Sequence, residues 1–330
     1  MSRSVSQTLF LAAALVAAAA AACLIGEVAL STAQYAEAFR HPGSAPGEVV
    51  WAIRAPRTAA AAVVGAALGL AGAVMQGLLR NPLADPAVLG VSAFAGLGAS
   101  IALALGLAAA GGGAVEAAAL VGALAAGMAL TGLAARLKEP EALILFGVAL
   151  SAMGGALTAL VFNLSPSPVA TAEVLSWLMG SVENRSWGDL GWALPPMLIG
   201  SGLCAYAARG LTALTLGEET AATLGLPMAR LRGAAVAGAA LLTGAAVALA
   251  GIVGFVGLAA PHLVRARAGG EPGRILLPSA LAGALLLVLA DLIGRLIPSE
   301  VELKLGVLTA LFGAPLFALI AWRASRSWRA

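Results

Sequence analysis

Charge is scarce in this chain. Only 11% of its 330 residues are charged, against about 25% in an ordinary soluble domain, while 61% are hydrophobic. The mean hydropathy is +0.96. A soluble protein this apolar has too few polar groups to cover its own surface. A soluble enzyme, a disordered chain and a fibrous chain are therefore excluded. Aromatic residues make up 5%, and there are two cysteines, Cys23 and Cys204, both inside apolar stretches. That is too few for a disulfide framework, and they have no metal-ligand spacing. The two histidines, His41 and His262, share none either, so no metal site is expected.

Other absences concern chemistry. Lys138 and Lys304 are the only lysines and neither follows a glycine, so there is no Gly-x-x-x-x-Gly-Lys-Ser/Thr loop for ATP. No Gly-x-Ser-x-Gly occurs, and no catalytic set is assigned. Basic runs interleaved with aromatics are missing, which argues against nucleic acid as a partner. No pair of carboxylates falls in the middle of an apolar stretch. Glu27, Glu116 and Asp291 all lie near the ends of predicted spans. This weakens, without excluding, an ion-gradient-driven secondary transporter, which needs an ionisable group near the midplane.

What remains is a multi-spanning helical membrane protein, and its charges punctuate the spans. Arg3 to Glu27 encloses 23 uncharged residues, Arg57 to Arg80 encloses 22, and Asp85 to Glu116 encloses 30 with a glycine break at 111–113. Glu116 to Arg136 encloses 19, Glu141 to Glu173 encloses 31, and Asp189 to Arg209 encloses 19. Arg274 to Asp291 and Lys304 to Arg323 enclose 16 and 18. The 32 uncharged residues between Arg232 and Arg265 are too many for one helix and barely enough for two full ones. Glycines 251, 254 and 257 predict a bend and a short return leg. The count is about ten passes, the eighth short or broken, in one permease domain over 1–330. Abundant alanine and 41 glycines predict close helix packing. Alternating strands of a membrane barrel are absent.

Basic residues set the orientation. With both termini cytoplasmic, 13 of the 19 basic residues face inward and six (40, 54, 57, 185, 295 and 304) face outward. Arg3, the apolar run and the small residues before Cys23 also read as a cleaved signal. The run is long for a signal, and Ala20 stands where a lipoprotein signal wants leucine. Two outward segments, 31–57 and 165–189, are longer than turns. The second has room for a helix lying on the membrane surface, with Trp177 and Trp187 at headgroup level.

Four stretches are too specific for generic membrane sequence. Arg54-Ala-Pro-Arg57 leads into a span that ends Gln76-Gly-Leu-Leu-Arg-Asn81-Pro82-Leu83-Ala-Asp85-Pro86. Trp177-Leu-Met-Gly180 precedes Trp187-Gly-Asp189. Leu216-Gly217-Glu218-Glu219-Thr220-Ala221-Ala222-Thr223-Leu224-Gly225 forms an inner loop. Gly254-Phe255-Val256-Gly257-Leu258-Ala-Ala-Pro261-His262 is followed by Ala290-Asp291 and Gly313-Ala-Pro315. In this order, over residues 50 to 320, the chain resembles the FecCD-type permeases of ABC importers for iron-siderophore, haem and cobalamin, and most of all the bacterial haem-uptake permeases.

The resemblance implies an all-α type II importer permease in the bacterial inner membrane. It implies a homodimer with a second copy of the chain, two cytoplasmic P-loop ATPase subunits that hold ATP and magnesium, and a periplasmic substrate-binding protein. The permease itself is no enzyme and carries no cofactor. By the matching motif positions, Arg54, Arg57 and Arg295 receive carboxylates of the binding protein. The alternative from topology alone is a set of headgroup-level anchors. Gly217, Glu218, Glu219, Thr220, Ala221, Ala222 and Gly225, within a cytoplasmic coupling region at 210–232, match the helix that contacts the ATPase; the bland reading is a solvated loop helix. Asn81 and Leu83 match a cytoplasmic gate, against a plain helix-ending turn. The family's other gate element has no residue-by-residue match in Lys138-Glu139-Pro140-Glu141.

Haem stands first among cargoes, a ferric siderophore next and cobalamin third. Lys304 replaces the proline of the family's Glu-Leu-Pro and adds positive charge at the outer mouth, which suits an anionic ligand. His262 invites a haem-ligand reading, against a packed structural histidine. Met75 and Met179 read as core residues.

Overall fold

The computed structural model describes residues 3–26, 28–110, 113–134, 136, 140–165, 167–266, 271–297 and 303–327. Among them there is no strand. The helices are α1 (Arg3–Leu24), α2 (Thr32–Arg40), α3 (Ala45–Glu48), α4 (Ala55–Leu78), α5 (Val91–Ala104), α6 (Ala114–Ala134), α7 (Pro140–Leu164), α8 (Pro168–Leu178) and α9 (Trp187–Leu214). They continue with α10 (Glu218–Thr223), α11 (Met228–Ala250), α12 (Val256–Arg265), α13 (Pro272–Leu296) and α14 (Leu305–Ser327). A wide π-helical turn, Val49–Arg54, joins α3 to α4, giving one helical run over Ala45–Leu78. A short 3-10 turn, Pro86–Leu89, precedes α5.

Seven of these helical segments are long and apolar enough to cross a membrane by themselves. With α5, the apolar stretch Leu305–Leu319 of α14 and the ten-residue α12, ten passes are counted among the described residues. Contacts show that successive passes run in opposite directions. The carbonyls of Ala118 and Phe94 meet Gly98 and Gly122, so α5 and α6 are antiparallel. Gly200 meets Gly238 and Gly210 meets Leu231, so α9 and α11 are too. One end of the bundle, the arginine end, gathers the end of α1, the start of α4 and the end of α13. The opposite end gathers the start of α1 and the ends of α4 and α12.

The expected break in the 233–264 stretch is present. α11 stops at Ala250, residues 251–255 are non-helical, and α12 is a short return leg. Gly251 (φ +70°) makes the exit, and Phe255 (φ +66°) opens α12 in a left-handed conformation that costs a bulky residue energy. Polar backbone groups freed here find partners inside the chain: Ser181 N–H donates to the Ala250 carbonyl at 2.7 Å. Nearby, Leu305 and Gly306 N–H donate to the carbonyls of Gly180 and Met179 at 2.9 and 3.1 Å. Three chain segments thus cross at one point, and only glycine fits at 180, 251 and 306, because a Cβ there would overlap a facing carbonyl.

α8 is largely exposed, with Val174 its buried residue. Its C-terminal end enters the bundle, with the Trp177 carbonyl against Gly251 and Leu178 against Gly96 of α5. Trp177 is therefore part of the crossing, whereas Trp187 stays 54% exposed and donates from Nε1 to the Trp51 carbonyl at 2.9 Å.

α4 is the centre, and glycines put it there. A Cβ at Gly65 would overlap the Gly283 carbonyl of α13, one at Gly69 the Ser279 carbonyl, and one at Gly72 the Gly257 carbonyl of α12. Lipid supplies no hydrophobic drive between helices, so this backbone approach is what packs them. Gly72→Val should force α4 and α12 apart. Overpacking of this kind costs about 1–3 kcal/mol, and the expected result is a lower midpoint of thermal unfolding in detergent, with Gly132→Val, which meets open space, as the silent control.

Candidate functional site

At the arginine end, the three sequence-selected arginines line one recess of about 220 Å³, together with Gly26, Val28, Val49, Ile53, Glu183 and Asn184. They do not stand out as free donors. Arg54 is 4% exposed. Its Nη1 donates to the carbonyls of Cys23 (3.3 Å) and Leu24 (3.1 Å) and to the Tyr35 hydroxyl (3.0 Å), and its Nη2 donates to the Val28 carbonyl. The guanidinium closes the C-terminal end of α1, where carbonyls are left over and a cation suits the helix dipole. The π-helical turn ending at Arg54 is what delivers it there.

Arg57 donates from Nε and Nη2 to Asp291 Oδ1 at 3.0 and 2.8 Å. Arg295, one turn beyond Asp291 on α13, donates from Nη2 to Asp291 Oδ2 and from Nη1 to the Ala22 carbonyl at 3.0 Å. Asp291 and Arg295 are 4% and 8% exposed. Lys304 sits 3.6 Å from Glu183. Among the described residues around the recess, four cations face two carboxylates, a formal surplus of +2. Lys304 is thus already matched by Glu183, which removes the reason it offered for an anionic cargo.

Between the ends, the crossing at 251–255 opens onto two apolar cavities. One, of about 650 Å³, is lined by Met179, Ile252, Gly254, Val307 and Leu311 among others. The other, of about 260 Å³, is lined by Val256, Leu286, Ile293 and Phe312. Phe255 belongs to both. No charged side chain lines either one among the described residues. Met75 is fully buried core as expected, but Met179 is 43% exposed and lines the larger cavity, so its expected place in the core is corrected. His262 lines neither cavity.

At the opposite end, Gln76 Nε2 donates to the Leu258 carbonyl at 3.4 Å and its Oε1 accepts from Arg265 Nη2 at 2.5 Å, tying α4 to α12. Arg80 turns the chain with φ +49°. Asn81 N–H donates to the Gln76 carbonyl at 3.2 Å, and Asn81 Oδ1 accepts from Leu83 N–H at 2.9 Å. This Asx turn holds Asn81-Pro82-Leu83 as a fixed corner with Pro82 exposed. Asp85 caps the following turn by accepting from Ala87 N–H at 2.9 Å. Burial pushes its carboxyl above the usual range, and the Ala87 amide opposes this. Pro86 then rests on Gly257, so this corner and α12 are in contact.

Residues 216–225 form the expected short helix, α10, opened by Gly217 (φ +94°) and followed by Gly225 (φ +70°). Ala221 is buried, while Leu216, Thr220, Thr223 and Leu224 are exposed. The side chains of Glu218, Glu219 and Ala222 lie outside the described residues, as do Lys138, Glu139 and Glu302. Sequence reasoning missed Phe255 as a wall residue and Asp291 as the partner of two arginines. Both stood inside quoted motifs, but only a three-dimensional contact assigns them.

Residues 12–323 match the FecCD transport family. The chain belongs to that family. FecCD relatives at 42% identity include the vitamin B12 import system permease protein BtuC of Salmonella typhimurium (strain LT2), over 288 residues and 86% of each chain. The uncharacterized ABC transporter permease protein YvrB of Bacillus subtilis (strain 168) is also 42% identical, over 282 residues, 84% of this chain and 79% of its own. A solved structure described as an inward-facing conformation of a metal-chelate type ABC transporter superposes with TM-score 0.84 at 29% identity, covering 96% of this chain and 98% of that one. The ten-pass all-α reading and the ABC permease architecture hold. Of the two relatives, BtuC is named for vitamin B12 and YvrB for no cargo.

The Arg54 clamp carries its own test. Arg54→Gln leaves the α1 carbonyls of Cys23 and Leu24 without a charged donor, each such bond being worth about 1.5–3 kcal/mol. We expect a clear loss of thermal stability in detergent with no binding protein present, whereas a docking residue alone would leave stability unchanged.

Proposed function

We propose that this FecCD permease is the membrane-spanning subunit of an ATP-driven bacterial importer for a large metal chelate. It lies in the inner membrane with both termini cytoplasmic, so that the arginine end faces the periplasm. A periplasmic binding protein docks there through Arg54, Arg57 and Arg295, and Arg57, the least covered of the three, makes the leading contact. Two cytoplasmic P-loop ATPase subunits bind ATP and magnesium and seat against Gly217, Glu218, Glu219, Thr220, Ala221, Ala222 and Gly225. Asn81 and Leu83 form the cytoplasmic gate. No bond is made or broken by this chain.

The observation that carries the proposal is the division of the bundle. A recess lined by three arginines lies at one end, a short helix flanked by exposed Leu216 and Leu224 lies at the other, and open apolar hollows lie between. Leu311 and Phe312 of α14 are 64% and 62% exposed beside those cavities, which favours a second copy of the chain closing them into a path along a dimer axis. Mechanically, ATP-driven approach of the two ATPases would press on α10, which packs on α9. The fixed corner at Asn81 would respond through α4 and its Gln76 link to α12.

For cargo we place a corrinoid first, on the kinship with BtuC, and haem and ferric siderophores after it. Two findings weaken the case for haem: Lys304 is matched by Glu183, and His262 lines neither of the two apolar cavities.

The test is copurification of the tagged chain from gently solubilised native membranes, followed by uptake in proteoliposomes. We expect a P-loop ATPase at equal stoichiometry and ATP-dependent accumulation of cyanocobalamin. Accumulation of haem instead, read from its Soret band, would move the cargo and keep the importer. Glu218→Arg with Glu219→Arg should cut uptake at least tenfold at unchanged membrane abundance. Accumulation by the chain alone, without ATP, would sink the proposal and favour a gradient-driven carrier.

A further inference from the structure

We infer that Asn184 supplies a hydrogen bond by which the arginine recess holds a docked protein: its side-chain amide donates to an acidic group that the guanidiniums attract. The inference rests on the docking reading above. Five polar side chains line the recess, those of Arg54, Arg57, Glu183, Asn184 and Arg295. Four of them are tied to the chain. Arg54 serves the end of α1 and Tyr35, and Arg57 donates from two nitrogens to Asp291. Arg295 donates to Asp291 and to the Ala22 carbonyl, and its side chain is 3% exposed. Glu183 faces Lys304. Asn184 is exposed, and its amide has no hydrogen bond among the described residues.

The loop around Asn184 is pinned on both sides. Ser181 N–H donates to the Ala250 carbonyl at 2.7 Å, Glu183 N–H donates to Ser181 Oγ at 3.0 Å, and Val182 is buried. Beyond it, Arg185 Nη1 donates to Glu116 Oε1 of α6 at 2.9 Å, and Ser186 caps α9. Between these fixed points Asn184 stands in the left-handed backbone region, φ +58°, which asparagine tolerates better than most residues. A partner therefore meets an amide already held in place, and little ordering is left for the moment of docking. The two kinds of group act differently. The guanidiniums attract through their charge, which reaches outward and is screened by salt. A hydrogen bond needs an uncommitted donor at contact range, and Asn184 Nδ2 offers two hydrogens.

The experiment places the permease with its ATPase in nanodiscs and follows binding and release of the periplasmic protein that copurifies with the tagged chain, at low and at high salt. Asn184→Gly keeps the left-handed backbone and removes the amide. We expect it to bind about tenfold more weakly, the scale of one hydrogen bond, through faster release. The factor should be the same at both salts, with the thermal midpoint unchanged. Asn184→Asp keeps the shape and turns the donor into a negative charge facing an acidic partner. We expect it to weaken binding further at low salt and to recover part of the loss at high salt. A loop that needs only its left-handed turn binds normally with glycine, so wild-type binding by Asn184→Gly overturns the inference. So does tighter binding by Asn184→Asp, which would make the partner's group a cation or a donor.

If Asn184→Gly lowers the thermal midpoint, the loop has loosened and Asn184→Asp decides. Salt-reversible weakening at the wild-type midpoint supports the inference, and unchanged binding overturns it. The docking reading itself fails by a different result: no periplasmic protein binds the wild-type permease, or p-benzoylphenylalanine in place of Ile53, an exposed wall of the recess, captures none on illumination. The partner then docks elsewhere or not at all, and the inference falls with that reading.

Discussion

Hydrocarbon offers no water to a polar group, so a departure from helix or a charge placed within it must find its partners in the chain itself. That constraint organises the molecule more than any single contact. Where α11 stops short, the freed backbone is taken up by the strand-like crossing with residues 177–181 and 304–306. Where α1 ends, Arg54 supplies the donors its carbonyls lack. Where two arginines enter a covered recess, Asp291 stands between them. A buried ion pair of this kind is poor evidence for stability, because desolvation offsets much of the attraction. Its value here is geometric, since it fixes the spacing of cations that come from separate helices.

The second constraint is distance. With aromatics at 5% and glycine and alanine abundant, the helices pack backbone to backbone through Gly65, Gly69 and Gly72 of α4. That closeness makes the links between ends direct. Gln76 at the end of α4 reaches both Leu258 and Arg265 of α12, and the corner that follows it rests on Gly257 through Pro86. α12 is ten residues long and follows an unwound stretch, so its place is set by these contacts with α4 rather than by a continuous helix from α11.

Much of the fold was legible in the sequence because scarce charges mark the span ends, and the long gap between Arg232 and Arg265 contained its own glycine break. The helix at 218–223 and the Asn81 corner were legible from local chemistry, two glutamates at the start and Gly225 past the end in one case and an Asn-Pro turn in the other. Burial was less legible. An arginine near a span end reads as a headgroup anchor, and nothing local tells that Arg54 turns into the end of α1 or that Arg295 meets Asp291 and Ala22. The packing of the C-terminal end of α8 was hidden for the same reason. Its tryptophan suggests an interface, yet the glycines that admit it, at 96 and 251, lie far along the chain. Met179 reads as core by composition and becomes a cavity wall only because the crossing puts an open space beside it.

The two kinds of packing also divide how freely the protein can change. The cavity walls are made of side chains, with Phe255, Leu311, Phe312 and Met179 facing open space. Replacing one reshapes the space and leaves the frame standing. The frame is main chain pressed on main chain at Gly65, Gly72, Gly251 and Gly306, where even a methyl group has no room. A lineage of such permeases can therefore trade one bulky cargo for another by altering its walls, while the architecture that moves the cargo is held by positions with no side chain to vary.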